Sequence, residues 1–121
     1  MERTKILVVD DEWYILDLVI DFLALENIVG VKAENFSKAI EKASSEKFDL
    51  IIADVNIENE SIENFIFSLR GKDIETHVVL ITGDHRIDQE FTFKAGAVGV
   101  IYKPFQITQF LSAIKKFLEK K

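Results

Sequence analysis

The sequence alternates short apolar runs, rich in β-branched residues, with longer amphipathic stretches. The strongest runs are continuously apolar, which is typical of strands buried on both faces of a parallel sheet. These runs are 6–9, 50–53, 78–81 and 98–102. A weaker run at 28–33, broken by Gly30 and Lys32, predicts a strand at the edge of the sheet.

An amphipathic stretch follows each predicted strand. The third begins near Ser61, a suitable N-cap, and ends at Gly71. The alternation predicts an α/β fold in which a five-stranded parallel sheet is doubly wound, with helices on both faces and right-handed crossovers. No linker or repeat interrupts residues 1–121, so we expect a single domain. The predicted helices cover about 12–26, 37–45, 61–71, 86–95 and 107–118.

The first helical stretch is apolar on two sides. One stripe is interpreted as the core face: Trp13, Leu16, Val19, Ile20 and Leu23. The second stripe consists of Ile15, Leu18, Phe22 and Leu25. A helix with two apolar sides is either fully buried or meets a partner, and both alternatives stay open here. Phe67 and Phe93 also point off their core stripes, as a small partner patch or as ordinary exposed aromatics.

Composition narrows the class of protein. Of the 121 residues, 48% are hydrophobic and 30% are charged, as in an ordinary globular domain. There is no cysteine, no run near the roughly 20 residues of a membrane span, and no secretory signal, so we expect a cytoplasmic protein. The net charge of −6 argues against direct nucleic-acid binding. The basic residues near the end are interpreted as complementing a helix dipole: Lys115, Lys116, Lys120 and Lys121.

Chemically active side chains follow four of the predicted strands. In an open α/β sheet, ligands bind beyond the carboxyl ends of the strands, where these side chains should converge. Carboxylates brought together there repel one another, and Mg²⁺ would relieve the repulsion. An ammonium, a hydroxyl and a backbone N–H suit phosphate oxygens, and a carboxylate can itself accept a phosphoryl group. The residues are Asp10 and Asp11, then Asp54, then Thr82 and Gly83, then Lys103 and Pro104.

The segments 8–12, 79–83 and 95–105, together with Asp54, resemble the receiver domains of two-component response regulators over essentially the whole chain. The resemblance implies a flavodoxin-like strand order of 2-1-3-4-5 and a signalling switch rather than an enzyme. It makes Asp54 the phosphoacceptor and Thr82, Gly83 and Lys103 the phosphate-contacting groups. It assigns Mg²⁺ to Asp11, Asp54 and the carbonyl of Asn56, with Asp10 assisting. It also implies a cis bond before Pro104.

The resemblance further implies partners. A histidine kinase or a histidine phosphotransfer protein would donate the phosphoryl group, and a downstream target or output domain would respond. Because receiver domains commonly use the first helix to meet the donor, we expect Ile15, Leu18 and Phe22 to dock it. The alternative to docking is that these side chains are partially buried under neighbouring segments of the chain.

Several positions depart from the family pattern. Glu58 replaces a common proline, and Glu60 and Ile62 stand where Met and Gly are usual, which predicts a more mobile and more acidic loop. Val100 occupies the usual position of the switch aromatic, whereas Tyr102 directly precedes Lys103. The conformational signal of phosphorylation would then have to pass from Thr82 to the rest of the domain by another route. Asn56 and Asp84 resemble residues that tune phosphoryl lifetime.

Three other functions are alternatives to this interpretation. A haloacid-dehalogenase-like phosphatase needs Asp-x-Asp after the first strand, whereas this chain has Asp10-Asp11-Glu12. A flavodoxin-like module needs a Ser-, Thr- or Gly-rich phosphate loop after the first strand, whereas the acidic residues of this chain would repel the flavin phosphate. A pseudo-receiver, used only for docking, stays open because of Glu58 and Val100. His77 and His85 are interpreted as surface residues.

Overall fold

The computed structural model describes residues 3–57 and 59–119. Glu58, Lys120 and Lys121, on which parts of the sequence interpretation depend, lie outside these residues. The strands within the described ranges are β1 (Lys5–Val9), β2 (Val29–Ala33), β3 (Leu50–Asp54), β4 (Val78–Thr82) and β5 (Gly99–Tyr102). The helices that follow them in turn are α1 (Trp13–Ala24), α2 (Phe36–Ser45), α3 (Ile62–Gly71), α4 (Gln89–Ala95) and α5 (Ile107–Glu119).

The five strands form one parallel sheet in the order β2-β1-β3-β4-β5, as predicted. Every residue of β3 and β4 is buried, which accounts for their continuously apolar sequences. The weaker strand β2 lies at one edge, also as predicted. The apolar run at 98–102 is different: β5 forms the other edge, and its four residues are only half-buried. The expectation of a strand buried on both faces was therefore wrong for β5.

The helices cover both faces of the sheet. On one face, residues of α2 and α3 pack into a core that includes the stacked rings of Phe36 and Phe65. On the other face, α1 and α5 pack around Leu23, Phe110 and Ile114. None of the described helices combines the length and the apolar character needed to cross a bilayer.

Two glycines in the edge strands allow helices to pack closely on the sheet. A Cβ at Gly30 in β2 would lie 2.7 Å from Cγ1 of Ile20 in α1. A Cβ at Gly99 in β5 would overlap the ring of Phe117 in α5. Gly30, which weakened the strand prediction, is thus required by the packing of the first helix.

Helix boundaries follow local hydrogen bonds. The hydroxyl of Ser61 accepts the N–H of Asn64 at 3.2 Å, as the N-cap prediction for α3 requires. The fourth helix, predicted from about residue 86, begins at Gln89. It begins later because the carboxylate of Asp88 caps it, accepting the N–H of Phe91 at 2.9 Å.

The helix α1 shows one error in the predicted core. Leu16, Val19 and Leu23 are buried, but the side chain of Trp13 is 73% exposed. The reason is that α1 begins at Trp13, beyond the carboxyl end of β1, so this ring lies over the rim of the sheet instead of its face. The second stripe is divided: Ile15 and Phe22 pack against the core, and Leu18 and Leu25 are exposed.

Candidate functional site

The predicted site residues come together at the carboxyl edge of the sheet. Asp10 directly follows β1, Asp54 ends β3, Thr82 ends β4 and Lys103 follows β5. Asp10, Asp54 and Thr82 are almost completely buried, although all three are polar. Lys103 is fixed beside them because its backbone N–H donates to the carbonyl of Thr82 at 2.8 Å. Parallel pairing of the central strands therefore brings together residues that are far apart in sequence.

Four carboxylates are crowded at this edge. Asp10, Asp11, Glu12 and Asp54 each offer an oxygen within 4.8 Å of the others. Burial and the nearby charge of Asp54 raise the pKa of Asp10 from 3.8 to about 6. Hydrogen bonds from the N–H of Glu12, at 3.0 Å, and from Lys103 only partly oppose this rise. The cluster is thus strained electrostatically and suited to bind a cation.

Lys103 is the ammonium at the centre of this cluster. Its Nζ lies 3.0 Å from Oδ2 of Asp10, 3.4 Å from Oε1 of Glu12 and 3.5 Å from Oδ2 of Asp54. Burial alone would lower the pKa of Lys103, but the surrounding carboxylates outweigh it and raise the pKa above its usual value. Lys103 therefore stays charged and bridges the acidic groups. The bond between Lys103 and Pro104 is cis, as the resemblance implied.

Thr82 connects the acidic cluster to the loop that follows β4. Its Oγ1 accepts the N–H of Asp84 at 3.0 Å and the side-chain amide of Asn56 at 3.4 Å. The backbone N–H of Asn56 donates to Oδ1 of Asp54 at 3.1 Å. Gly83 is exposed next to Thr82, and a Cβ there would meet no atom within 4 Å. A glycine is thus not required at this position for space.

Sequence reasoning missed three contacts around the site. The hydroxyl of Tyr14 donates to the carboxylate of Glu12, and the ring of Tyr102 stacks on that of His85 with centroids 4.7 Å apart. Arg86 forms an ion pair with Asp84, at 2.8 Å between Nη2 and Oδ2. Hydrogen bonds from Arg86 lower the pKa of Asp84 to about 2. The aspartate and arginine of the last pair are two residues apart, a spacing that gave no signal before the loop conformation was known.

The family model for the response regulator receiver domain matches residues 6–115. The chain belongs to this family. Among curated relatives, transcriptional regulatory protein ResD of Bacillus subtilis is 31% identical over 118 residues, which are 98% of this chain and 49% of that protein. Sporulation initiation phosphotransferase F of the same organism is 27% identical, and the alignment covers 98% of this chain and 96% of that protein.

Solved structures agree with the family assignment. The chemotaxis protein CheY4 of Vibrio cholerae superposes with a TM-score of 0.85 at 25% identity, covering 96% of this receiver domain and 99% of that chain. Receiver domains are signalling switches in two-component systems. This receiver domain spans about half the length of the first curated relatives, at 49% of ResD and 50% of regulatory protein VanR of Enterococcus faecium.

Two of the departures from the family pattern have a structural explanation in this receiver domain. Glu60 accepts the N–H of Phe36, the first residue of α2, at 3.2 Å, and Ile62 is buried as the first residue of α3. The described part of the loop is thus anchored to α2 and α3, and the mobility of the loop stays a prediction. Val100 packs half-buried against the core, while the hydroxyl of Tyr102 donates to the carbonyl of Ile87.

The predicted docking residues do not form one exposed surface. Leu18 is 40% exposed, but Ile15 is half-buried, and the ring of Phe22 packs against that of Phe110 with centroids 5.9 Å apart. Two aromatic side chains that the docking prediction omitted are exposed at the start of α1, those of Trp13 and Tyr14. Their rings meet edge to face at 6.1 Å.

Proposed function

We propose that this receiver domain, as a single domain over residues 1–121, accepts a phosphoryl group on Asp54 in a Mg²⁺-dependent reaction. The observation that carries the proposal is the contact between Asp54 and Lys103. The buried carboxylate of Asp54 directs Oδ2 toward the ammonium, at 3.5 Å, at the only edge of the sheet where strand-end carboxylates converge among the described residues. A carboxylate nucleophile beside a fixed ammonium supplies the positioning and the charge that phosphoryl transfer needs.

The acidic cluster fits a hard divalent cation. Four carboxylates face one ammonium, so positive charge is in deficit, and every donor is an oxygen, the atom type that Mg²⁺ prefers. We assign the cation to the carboxylates of Asp11 and Asp54 and the backbone carbonyl of Asn56, with Asp10 assisting through hydrogen bonds. When bound, Mg²⁺ would neutralise negative charge that develops on the phosphoryl oxygens.

Side-chain and backbone groups of the protein position the nucleophile and contact the phosphoryl oxygens. The N–H of Asn56 holds Oδ1 of Asp54, which leaves Oδ2 to attack phosphorus while the bond from phosphorus to the donor histidine nitrogen breaks. Lys103 neutralises one phosphoryl oxygen. Because Oγ1 of Thr82 already accepts two hydrogen bonds, its own hydrogen is free to donate to another, and the N–H of Gly83 serves as a further donor. The domain thereby promotes its own phosphorylation and dephosphorylation and acts as a switch, not as an enzyme with an outside substrate.

The donor is a histidine kinase or a histidine phosphotransfer protein, and the exchange takes place in the cytoplasm. The likeness to sporulation initiation phosphotransferase F over nearly its whole length supports a phosphorelay role. For docking, Leu18 is the exposed member of the set Ile15, Leu18 and Phe22.

Binding of beryllofluoride with Mg²⁺, followed by amide NMR, tests this proposal directly. The parent protein should show Mg²⁺-dependent shifts around Asp54, Thr82 and Lys103 that Asp54→Ala abolishes. Asp21→Asn, an exposed carboxylate change on α1, is the matched control and should bind like the parent. A parent protein that binds no beryllofluoride would instead support the pseudo-receiver.

A further inference from the structure

Glu12 is a fourth carboxylate at the site, and the proposed phosphoryl transfer does not use it. Its Oε1 lies 3.4 Å from Nζ of Lys103, while its Oε2 accepts the hydroxyl of Tyr14. On the inner side, the same ammonium contacts Asp10 at 3.0 Å and Asp54 at 3.5 Å. Lys103 is thus shared between two inner carboxylates and one at the rim.

Tyr14 fixes the outer carboxylate. Its hydrogen bond is the main reason why the pKa of Glu12 is lowered, and the nearby charge of Lys103 contributes to the same shift. The same bond raises the pKa of Tyr14, so the phenol remains a donor at neutral pH. The ring is packed edge to face on Trp13, with an interplanar angle of 89°. These contacts keep the carboxylate of Glu12 directed at Lys103.

We propose that Glu12 and Tyr14 are positioning residues for Lys103, with the phenol holding the Glu12 carboxylate against the ammonium and thereby drawing it toward the rim. This inference rests on the proposed role of Asp54. An incoming phosphoryl oxygen has to compete with Glu12 for Lys103, and the negative charge of Glu12 also repels an anionic donor. The pair therefore slows phosphorylation, and Tyr14 acts only through Glu12.

A double-mutant cycle separates this role from a general structural one. The rate of phosphorylation by acetyl phosphate with Mg²⁺ should rise roughly fivefold in Glu12→Ala, the effect in water of removing one charge about 4 Å away. Tyr14→Phe should raise the rate about twofold by releasing one hydrogen bond. In the Glu12→Ala background, Tyr14→Phe should change nothing further. Asp21→Asn, which removes an exposed carboxylate elsewhere on α1, is the control and should react like the parent.

Two results would overturn the inference. One is an unchanged or slower rate in Glu12→Ala with the fold intact by circular dichroism. The other is an effect of Tyr14→Phe that is equally large whether or not Glu12 is present, since the phenol would then act on its own.

A second measurement does not depend on phosphoryl transfer. In Mg²⁺-free protein without donor, the ¹³Cε and ¹⁵Nζ signals of Lys103 should shift in Glu12→Ala and in Tyr14→Phe, but not in Asp21→Asn. Unchanged Lys103 signals in both variants would reject the positioning pair even if Asp54 is phosphorylated normally. Shifted signals in a protein that binds no beryllofluoride with Mg²⁺ would retain the pair and reject the proposed function instead.

Discussion

Replacing Asp10 with Asn should stabilise the Mg²⁺-free protein, although it removes a side chain from the proposed site. Asp10 is completely buried, and its carboxylate lies close to that of Asp54 in the acidic cluster. Its pKa is about 6, compared with 3.8 for the ordinary group, so the folded protein disfavours the charged form of the Asp10 carboxyl. Asn keeps an oxygen that can accept the N–H of Glu12 and carries no charge.

The size of the effect follows from linkage. A rise in pKa of roughly two units corresponds to about 3 kcal/mol, because each unit is worth about 1.4 kcal/mol. Asn also removes a charged acceptor from Lys103, which offsets part of this gain, so we expect a net stabilisation of about 1–2 kcal/mol. For a chain of this size, Tm should rise by about 3–8 °C.

The sign of the pH dependence provides a sharper check. Because the folded-state pKa of Asp10 is raised, the folded protein binds more protons than the unfolded chain between about pH 4 and pH 6. The parent should therefore lose stability relative to Asp10→Asn as pH rises through this window, and the full difference should be present at pH 8. At pH 4, where folded Asp10 is protonated, the difference should largely vanish.

Urea unfolding in EDTA at pH 4, 5, 6 and 8, compared across the parent, Asp10→Asn and Asp21→Asn, measures this directly. Asp21 is exposed on α1, so its substitution corrects for the general loss of one negative charge. Adding Mg²⁺ should stabilise the parent more than Asp10→Asn, since ligand binding stabilises the folded state. Equal stability of parent and Asp10→Asn at pH 8 without Mg²⁺, or a less stable Asp10→Asn, would refute the electrostatic argument.

Three further predictions concern packing, capping and docking. Gly99→Ala should destabilise the fold by about 1–3 kcal/mol in thermal unfolding, because the new methyl would overlap the ring of Phe117, whereas Gly83→Ala should be nearly neutral. Asp88→Ala should cost about 1 kcal/mol by removing the N-cap of α4, and Asp88→Asn should restore most of this in the same assay. Leu18→Asp should slow transfer from the cognate histidine donor without changing the rate with acetyl phosphate, and an unchanged rate with the protein donor would exclude this docking surface.

The fold was predictable because apolar runs and amphipathic stretches alternate regularly along the sequence. Continuously apolar runs such as those of β3 and β4 occur where a strand is buried on both faces, and the residues after each strand then meet at one edge. The predicted residues Asp10, Asp54 and Lys103 converge there for that reason alone. The strand order that the resemblance implied put β5 at the edge, but the partial burial of β5 was not predictable from its apolar sequence: Val100 packs toward one core and Ile101 toward the other, and both stay half-buried.

The contact between Glu12 and Tyr14 was not predictable for a different reason. Residues two apart do not face each other on a helix, so their spacing does not predict a contact between Glu12 and Tyr14. The structure places Glu12 just before α1 in an extended conformation, with φ −98° and ψ 106°, and this brings its side chain back over the first turn. Trp13 was misassigned to the core for a related reason: helical periodicity alone does not indicate where a helix extends past the sheet.

The position of the aromatic residue near Lys103 changes how the loop after β4 is held. Thr82 and Tyr102 are paired in the register of β4 and β5, and the loop between Gly83 and Asp88 is bonded to both. At one end, the N–H of Asp84 donates to the Thr82 hydroxyl; at the other, the Tyr102 hydroxyl donates to the carbonyl of Ile87. A displacement of the Thr82 hydroxyl would therefore break or carry the first bond while the second holds the other end of the loop. We expect such a displacement to act on the loop leading into α4, so that Val100, half-buried two residues earlier on β5, would need no aromatic ring for Thr82 to be coupled to that helix.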